Sequence, residues 1–177
     1  MKTLIFDTET SGLRLPRLVP ESKQPHIFEF YGCLVNESTW EIVEEFDELM
    51  KPPVPLVAKI TKITTVTNEM IADKPPFKAY AEAIKALIEK ADRVVAHNAS
   101  FDVDMVNGEM SRLGMTVDWP EVVCTVEQTM HLKSHRLELS GLHELLFGDS
   151  FKGAHRAKVD VEALMRCYKQ LRIDGEI

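Results

Sequence analysis

Cysteine is scarce in this chain of 177 residues: Cys33, Cys124 and Cys167 are odd in number, far apart and in no C-x-x-C pair. That excludes a disulfide framework and a paired-cysteine zinc site, and reduced thiols are expected. Aromatic residues make up only 7%, and the eight glycines and nine prolines are scattered, which excludes a collagen-like or low-complexity polymer. No apolar run approaches the roughly 20 residues of a membrane span. The N-terminal run meets a carboxylate at Asp7 before a signal-peptide core could develop, so a cytoplasmic protein with no membrane partner is expected. Positive charge is short as well: 21 Lys and Arg stand against 28 Asp and Glu, a net charge of −7. Taken globally, that balance opposes a polyanionic partner. Its distribution is uneven, however. Residues 37–48 hold Glu37, Glu41, Glu44, Glu45, Asp47 and Glu48 with no Lys or Arg, so this block carries −6 and the rest of the chain −1. The block reads as a solvated strand or hairpin face without chemistry.

What is present is 45% hydrophobic and 28% charged sequence, enough apolar side chain for one sizeable core and one domain over residues 1–177. Thr3–Phe6 reads as a short buried strand closed by a polar turn from Asp7 to Gly12, and the proline-punctuated residues 14–26 read as a loop. Ile27–Val35 and Trp40–Phe46 read as two further strands joined by a turn at Asn36–Thr39. After a loop with Pro52, Pro53 and Pro55, Ala83, Ile84, Leu87, Ile88 and Ala91 keep helical spacing and lead into a strand at Arg93–Ala96. A helix over Phe101–Leu113, a strand at Glu121–Cys124, a helix over Leu137–Leu146 and a final helix from Ala157 to Asp174–Gly175 complete an α/β domain.

Three segments bring chemistry to element ends. Asp7 and Glu9 are two apart, so on an extended chain their side chains leave one face about 6–7 Å apart and suit a shared cation. The run His97-Asn98-Ala99-Ser100-Phe101-Asp102 again takes an apolar strand into an acid at a helix start; Asn98 or Ser100 could equally be a plain helix cap. In Gly153-Ala154-His155-Arg156-Ala157-Lys158-Val159-Asp160, a continuous helix would put His155 and Asp160 about 140° apart. They share a site only if His155 lies in a preceding loop, which Gly153 makes feasible. A mobile histidine beside a fixed acid has the division of labour of general base and metal ligand. Four carboxylates and one histidine match the needs of phosphodiester hydrolysis with two divalent ions, and hard oxygen ligands select Mg²⁺ or Mn²⁺.

These residues resemble a family. Phe6-Asp7-Thr8-Glu9-Thr10-Ser11-Gly12-Leu13, then His97-Asn98-Ala99-Ser100-Phe101-Asp102, then His155-x4-Asp160 are similar to the three motifs of the DEDDh branch of DnaQ-like 3′-to-5′ exonucleases, in order and at similar spacing. Ile27-x-Glu29 and Cys124-Thr125 resemble the family's framework segments. The resemblance implies a ribonuclease-H-like fold, a five-stranded mixed sheet flanked by helices, forming a single 3′-to-5′ exonuclease domain over residues 1–177. It implies Asp7, Glu9, Asp102, His155 and Asp160 as the catalytic set. Asp7 would bridge two metal ions, Glu9 and Asp160 would hold one, and Asp102 would serve the other, with His155 taking the proton from the attacking water. That role needs neutral His155, so activity should rise through roughly pH 6.5 to 8.

Thr10, Leu13, Thr65, Asn98 and Phe101 are candidate substrate contacts, although Thr65-Val66-Thr67 stands where many relatives carry a Gly-Ile-Thr-like turn. Arg14, Arg17 and Lys23 form a candidate phosphate clamp, and Lys152, Arg156 and Lys158 a second basic cluster. The expected partner is a single-stranded DNA 3′ end, with RNA possible, and a DNA polymerase or replication complex is a candidate protein partner. A non-catalytic polymerase-bound module is the contrasting reading, and five such residues in place speak against it. A zinc protein using Cys124, His131, His135 and His143 is a third reading, disfavoured by irregular spacing and a single thiol.

Overall fold

The computed structural model describes residues 1–16 and 18–177. Its centre is β1 (Lys2–Thr10), flanked by β2 (Ile27–Asn36) and β3 (Glu41–Leu49) on one side and by β4 (Arg93–Ala96) and β5 (Glu121–Cys124) on the other. The five strands lie in the order β3-β2-β1-β4-β5. The β1–β2 and β2–β3 pairs are antiparallel, whereas β1–β4 and β4–β5 are parallel, so the sheet is mixed as expected. Around it are α1 (Ala58–Thr64), α2 (Ala81–Glu89), α3 (Ala99–Arg112), the single turn α4 (Thr125–Gln128), α5 (Leu139–Phe147) and α6 (Ala157–Asp174).

Strand periodicity explains the two-sided core. Leu4 and Phe6 of β1 point to the face covered by Ile84, Leu87 and Ile88 of α2 and by Met105, Val106 and Met110 of α3. Ile5 points to the other face, where Val161, Leu164 and Tyr168 of α6 pack with Tyr31, Val35 and Val95. Gly32 of β2 sits tightly in this core: a Cβ there would come within 3.1 Å of Leu4 and Phe30 side-chain atoms, which would have to shift by a few tenths of an ångström. Cys33, Cys124 and Cys167 are buried free thiols. Among the described residues no helix is long and apolar enough to cross a membrane.

β1 departs from the sequence reading, and α1 lies in a stretch to which that reading assigned no element. The polar turn expected from Asp7 is strand: β1 keeps pairing with β2 as far as Thr10↔Ile27, with a bulge after Glu9. Residues 58–64 are helical despite the β-branched Ile60, Thr61, Ile63 and Thr64, which cost χ1 freedom in a helix. Packing decides here, since Ile60 joins Leu56, Val66 and Ile71 in a small cluster over Phe28. Arg17, one of the proposed clamp residues, lies outside the described residues.

Candidate active site

The strand order reverses between β1 and β4, and ligands of open α/β sheets bind at the carboxyl ends of strands at such a point. Here the geometry is explicit. Pairing of β1 with β4 covers only Thr3–Ile5, while pairing with β2 runs on to Thr10. Beyond Ile5, β1 therefore overhangs with one edge free, and its alternation sends Asp7 and Glu9 to the α6 face and Thr8 to the α3 face.

From α3, Asp102 reaches back to β1: the Thr8 backbone N–H and hydroxyl both donate to its Oδ1, at 3.1 and 2.7 Å. From α6, Asp160 stands one turn inside the helix and accepts the His155 backbone N–H at 2.8 Å. His155 itself lies in the loop before α6 with φ of 67°, after Gly153 at φ of 84°. The condition set by the helical arithmetic is thus met. Ligand atoms of Glu9, His155 and Asp160 lie within 4.8 Å of one another. Asp7, Glu9, Asp102, His155 and Asp160 all line one cleft of about 670 Å³.

Electrostatics mark the same group. Burial, and then Asp102, Glu9 and Asp160 as like charges, push the Asp7 carboxyl well above the usual carboxylate range. Glu9 is pushed up to about 8, by burial and then by Asp160 and Glu29. Burial lifts Asp102 to about 7 against the two Thr8 donors, and lifts Asp160 to about 6 against the His155 N–H. Four hard-oxygen donors that cannot all ionise side by side fit divalent cations, which supply the missing charge.

The neighbouring residues hold this arrangement. His97 is half-buried, and its desolvation lowers its pKa; its Nε2 contacts the Leu137 carbonyl at 3.0 Å and must donate, so Nδ1 accepts from the Thr125 hydroxyl at 2.9 Å. It is a supporting residue, tying β4 to α4 and to the segment before α5. Glu29, opposite Glu9 on β2, takes the Arg156 guanidinium through Nε at 3.1 Å and Nη2 at 2.9 Å. That pair pins the start of α6, and with it His155, onto the sheet.

Of the candidate substrate contacts, Leu13, Asn98 and Phe101 line the cleft. Thr10 is buried, with its hydroxyl donating to the Gly12 carbonyl at 2.8 Å. Thr65 ends α1 at φ of 62° and does not line the cleft. Asn98 holds the N-cap position of α3 at φ of 67°, but its side chain makes no capping bond and accepts from Arg136 instead. The basic clusters are largely consumed by acids, Arg14 by Glu21, Arg156 by Glu29, and Lys158 by Glu45 and Asp47. The cleft holds a cation that motif reading passed over, Arg136. The zinc reading fails, since α4 ends at Gln128 and His131 bonds Glu176. Among the described residues the metal-capable cluster is Glu9, His155 and Asp160.

Comparison with known proteins agrees with this geometry. The profile of the RNase_T exonuclease family matches residues 4–168. DNA polymerase III PolC-type of Caldanaerobacter subterraneus subsp. tengcongensis is 27% identical over 179 residues, covering 97% of this chain and 12% of that one. DNA polymerase III subunit epsilon of Treponema pallidum is 29% identical over 167 residues, covering 92% of this chain and 73% of the subunit. Among solved structures, the nuclease domain of 3′hExo, a DEDDh family member bound to rAMP, superposes with a TM-score of 0.80 at 16% identity, covering 98% of this chain and 92% of that one. The chain belongs to the RNase_T exonuclease family, and its fold is the ribonuclease-H-like one of the DnaQ-like exonucleases. It spans about an eighth of the length of the PolC-type relative.

Proposed function

We propose that residues 1–177 form a single 3′-to-5′ exonuclease domain that hydrolyses the terminal phosphodiester of single-stranded DNA and releases nucleoside monophosphates. The observation that carries this reading is the convergence of Asp7, Glu9, Asp102 and Asp160 with His155 on one cleft at the overhanging end of β1. The four carboxylates would hold two divalent ions, Mg²⁺ or Mn²⁺. When bound, such ions supply a nucleophilic water at neutral pH and stabilise charge on the phosphoryl and leaving oxygens.

The chain's own residues do the rest. His155, exposed on its loop and near Glu9 and Asp160, accepts the proton of the attacking water. Thr8 and the Arg156–Glu29 pair hold Asp102 and the His155 loop in place, and Leu13 and Phe101 offer apolar surface to the terminal nucleotide. Since relatives are polymerase III proteins, we place the activity beside a DNA polymerase in the cytoplasm.

The test is product analysis on 5′-labelled single-stranded DNA and its RNA twin with Mg²⁺ or Mn²⁺. Faster release of deoxynucleoside monophosphates than of ribonucleotides supports the reading. Faster RNA degradation replaces DNA by RNA as the substrate, and internal cuts refute an exonuclease.

A further inference from the structure

A nucleic-acid strand brings one negative charge per nucleotide, yet the wall that would receive it is built from carboxylates. Among the described residues lining the cleft, Arg136 is the sole Lys or Arg. It comes from the irregular segment between α4 and α5, but it is aimed. Its Nη2 donates to the Asn98 side-chain oxygen at 3.0 Å, and the carbonyl of the next residue, Leu137, accepts from His97 at 3.0 Å. Asn98 spends its oxygen on this bond rather than on capping α3. A guanidinium has five N–H donors in a planar fork, and Arg136 is exposed, so the fork remains presented to the cleft.

We infer that Arg136 is a substrate-binding residue, gripping the backbone phosphate that borders the scissile one. Asn98 stands just before α3, four residues ahead of Asp102, and Arg136 lines the same cleft as the carboxylates, which sets the guanidinium beside their cluster. The inference rests on the exonuclease reading and adds to it a contact that distinguishes a polynucleotide from a small diester. Bound cations balance the carboxylates; Arg136 supplies charge for the strand beyond them.

Steady-state degradation of a short oligothymidylate at several salt concentrations tests this with wild type, Arg136→Gln and Arg136→Lys. Arg136→Gln should raise KM roughly 10-fold, as loss of a charge-assisted hydrogen bond does. It should also make the log–log dependence of apparent affinity on salt shallower by about 0.7, one single-strand phosphate contact. Arg136→Lys should recover most of that slope. A neutral methylphosphonate beside the scissile linkage should raise KM for wild type and add little in Arg136→Gln. An unchanged KM and slope in Arg136→Gln, or additive effects of variant and methylphosphonate, would overturn the assignment. Wild-type hydrolysis of the p-nitrophenyl ester of thymidine 5′-monophosphate, which has no bordering phosphate, reports on the chemistry alone. If that ester and the oligonucleotide both survive, the exonuclease reading falls; if the ester is cleaved and Arg136→Gln matches wild type on the strand, only the role of Arg136 falls.

Discussion

The carboxyl of Glu9 is pushed up to about 8 and that of Asp102 to about 7, in both cases first by burial, against ordinary values near 4. A carboxyl whose folded pKa is raised binds its proton more tightly folded than unfolded. Stability of the metal-free protein should therefore fall as pH rises from about 4 to 8 and level off above the folded pKa. Glu9→Gln removes one such charge, and is expected to stabilise the metal-free protein at pH 8 by about 1–2 kcal/mol. Thermal denaturation would read this as roughly 2–8 °C, with little change near pH 4. The same variant should lose nuclease activity. Cation binding must displace these protons, so apparent affinity for Mg²⁺ or Mn²⁺ should rise between pH 6 and 8, with proton release seen by calorimetry in buffers of different ionisation heat. His155→Ala touches an exposed loop and should leave the thermal midpoint near wild type while lowering kcat roughly 100-fold.

At the scale of elements, the site depends on where strands stop pairing and on what ties α6 to the sheet. Glu29 is 2% exposed at its side chain and its ion-pair partner is Arg156, next to His155. Arg156→Ala leaves that carboxylate buried and unpaired, and should cost about 1–3 kcal/mol of stability. If Arg156 acts on turnover through His155, its effect on kcat should largely vanish in a His155→Ala background, a coupling that a purely structural role does not produce. The acids of this site were legible in the sequence because each motif sits at an element end and carries a residue type that packing alone does not call for. The looped position of His155 followed from helical arithmetic and Gly153. The extent of β1 was hidden, because polar Asp7, Thr8 and Glu9 look like a turn until β2 is seen to pair with them. Helix α1 was hidden by its β-branched residues, whose packing over Phe28 is non-local. Arg136 was hidden for the same reason: no periodicity marks its segment, and only the fold brings it to Asn98, 38 residues away in sequence.

Over the whole molecule, the placement of charge says more than its net value. The acidic block of residues 37–48 lies at the turn into β3 and along that edge strand, and it is not idle: Glu44 pairs with Lys90, and Glu45 and Asp47 pair with Lys158. Glu37 accepts from the Tyr168 hydroxyl at 2.8 Å and lies near Arg93 and Arg172, joining the β2–β3 turn to α6. Charged side chains along an edge strand also oppose pairing with a second sheet. Outside that block the chain carries a net charge of only −1, and Asp7, Glu9, Asp102 and Asp160 lie together in the cleft. The central claim is therefore that this acidic cleft is a metal-dependent 3′-end nuclease site. It is tested most directly by following a 5′-labelled single-stranded oligonucleotide with wild type and Asp7→Asn, in Mg²⁺ or Mn²⁺ and in chelator. The account predicts a ladder that shortens from the 3′ end only for wild type with metal. Equal degradation by Asp7→Asn or in chelator, or an intact strand under every condition, would contradict it.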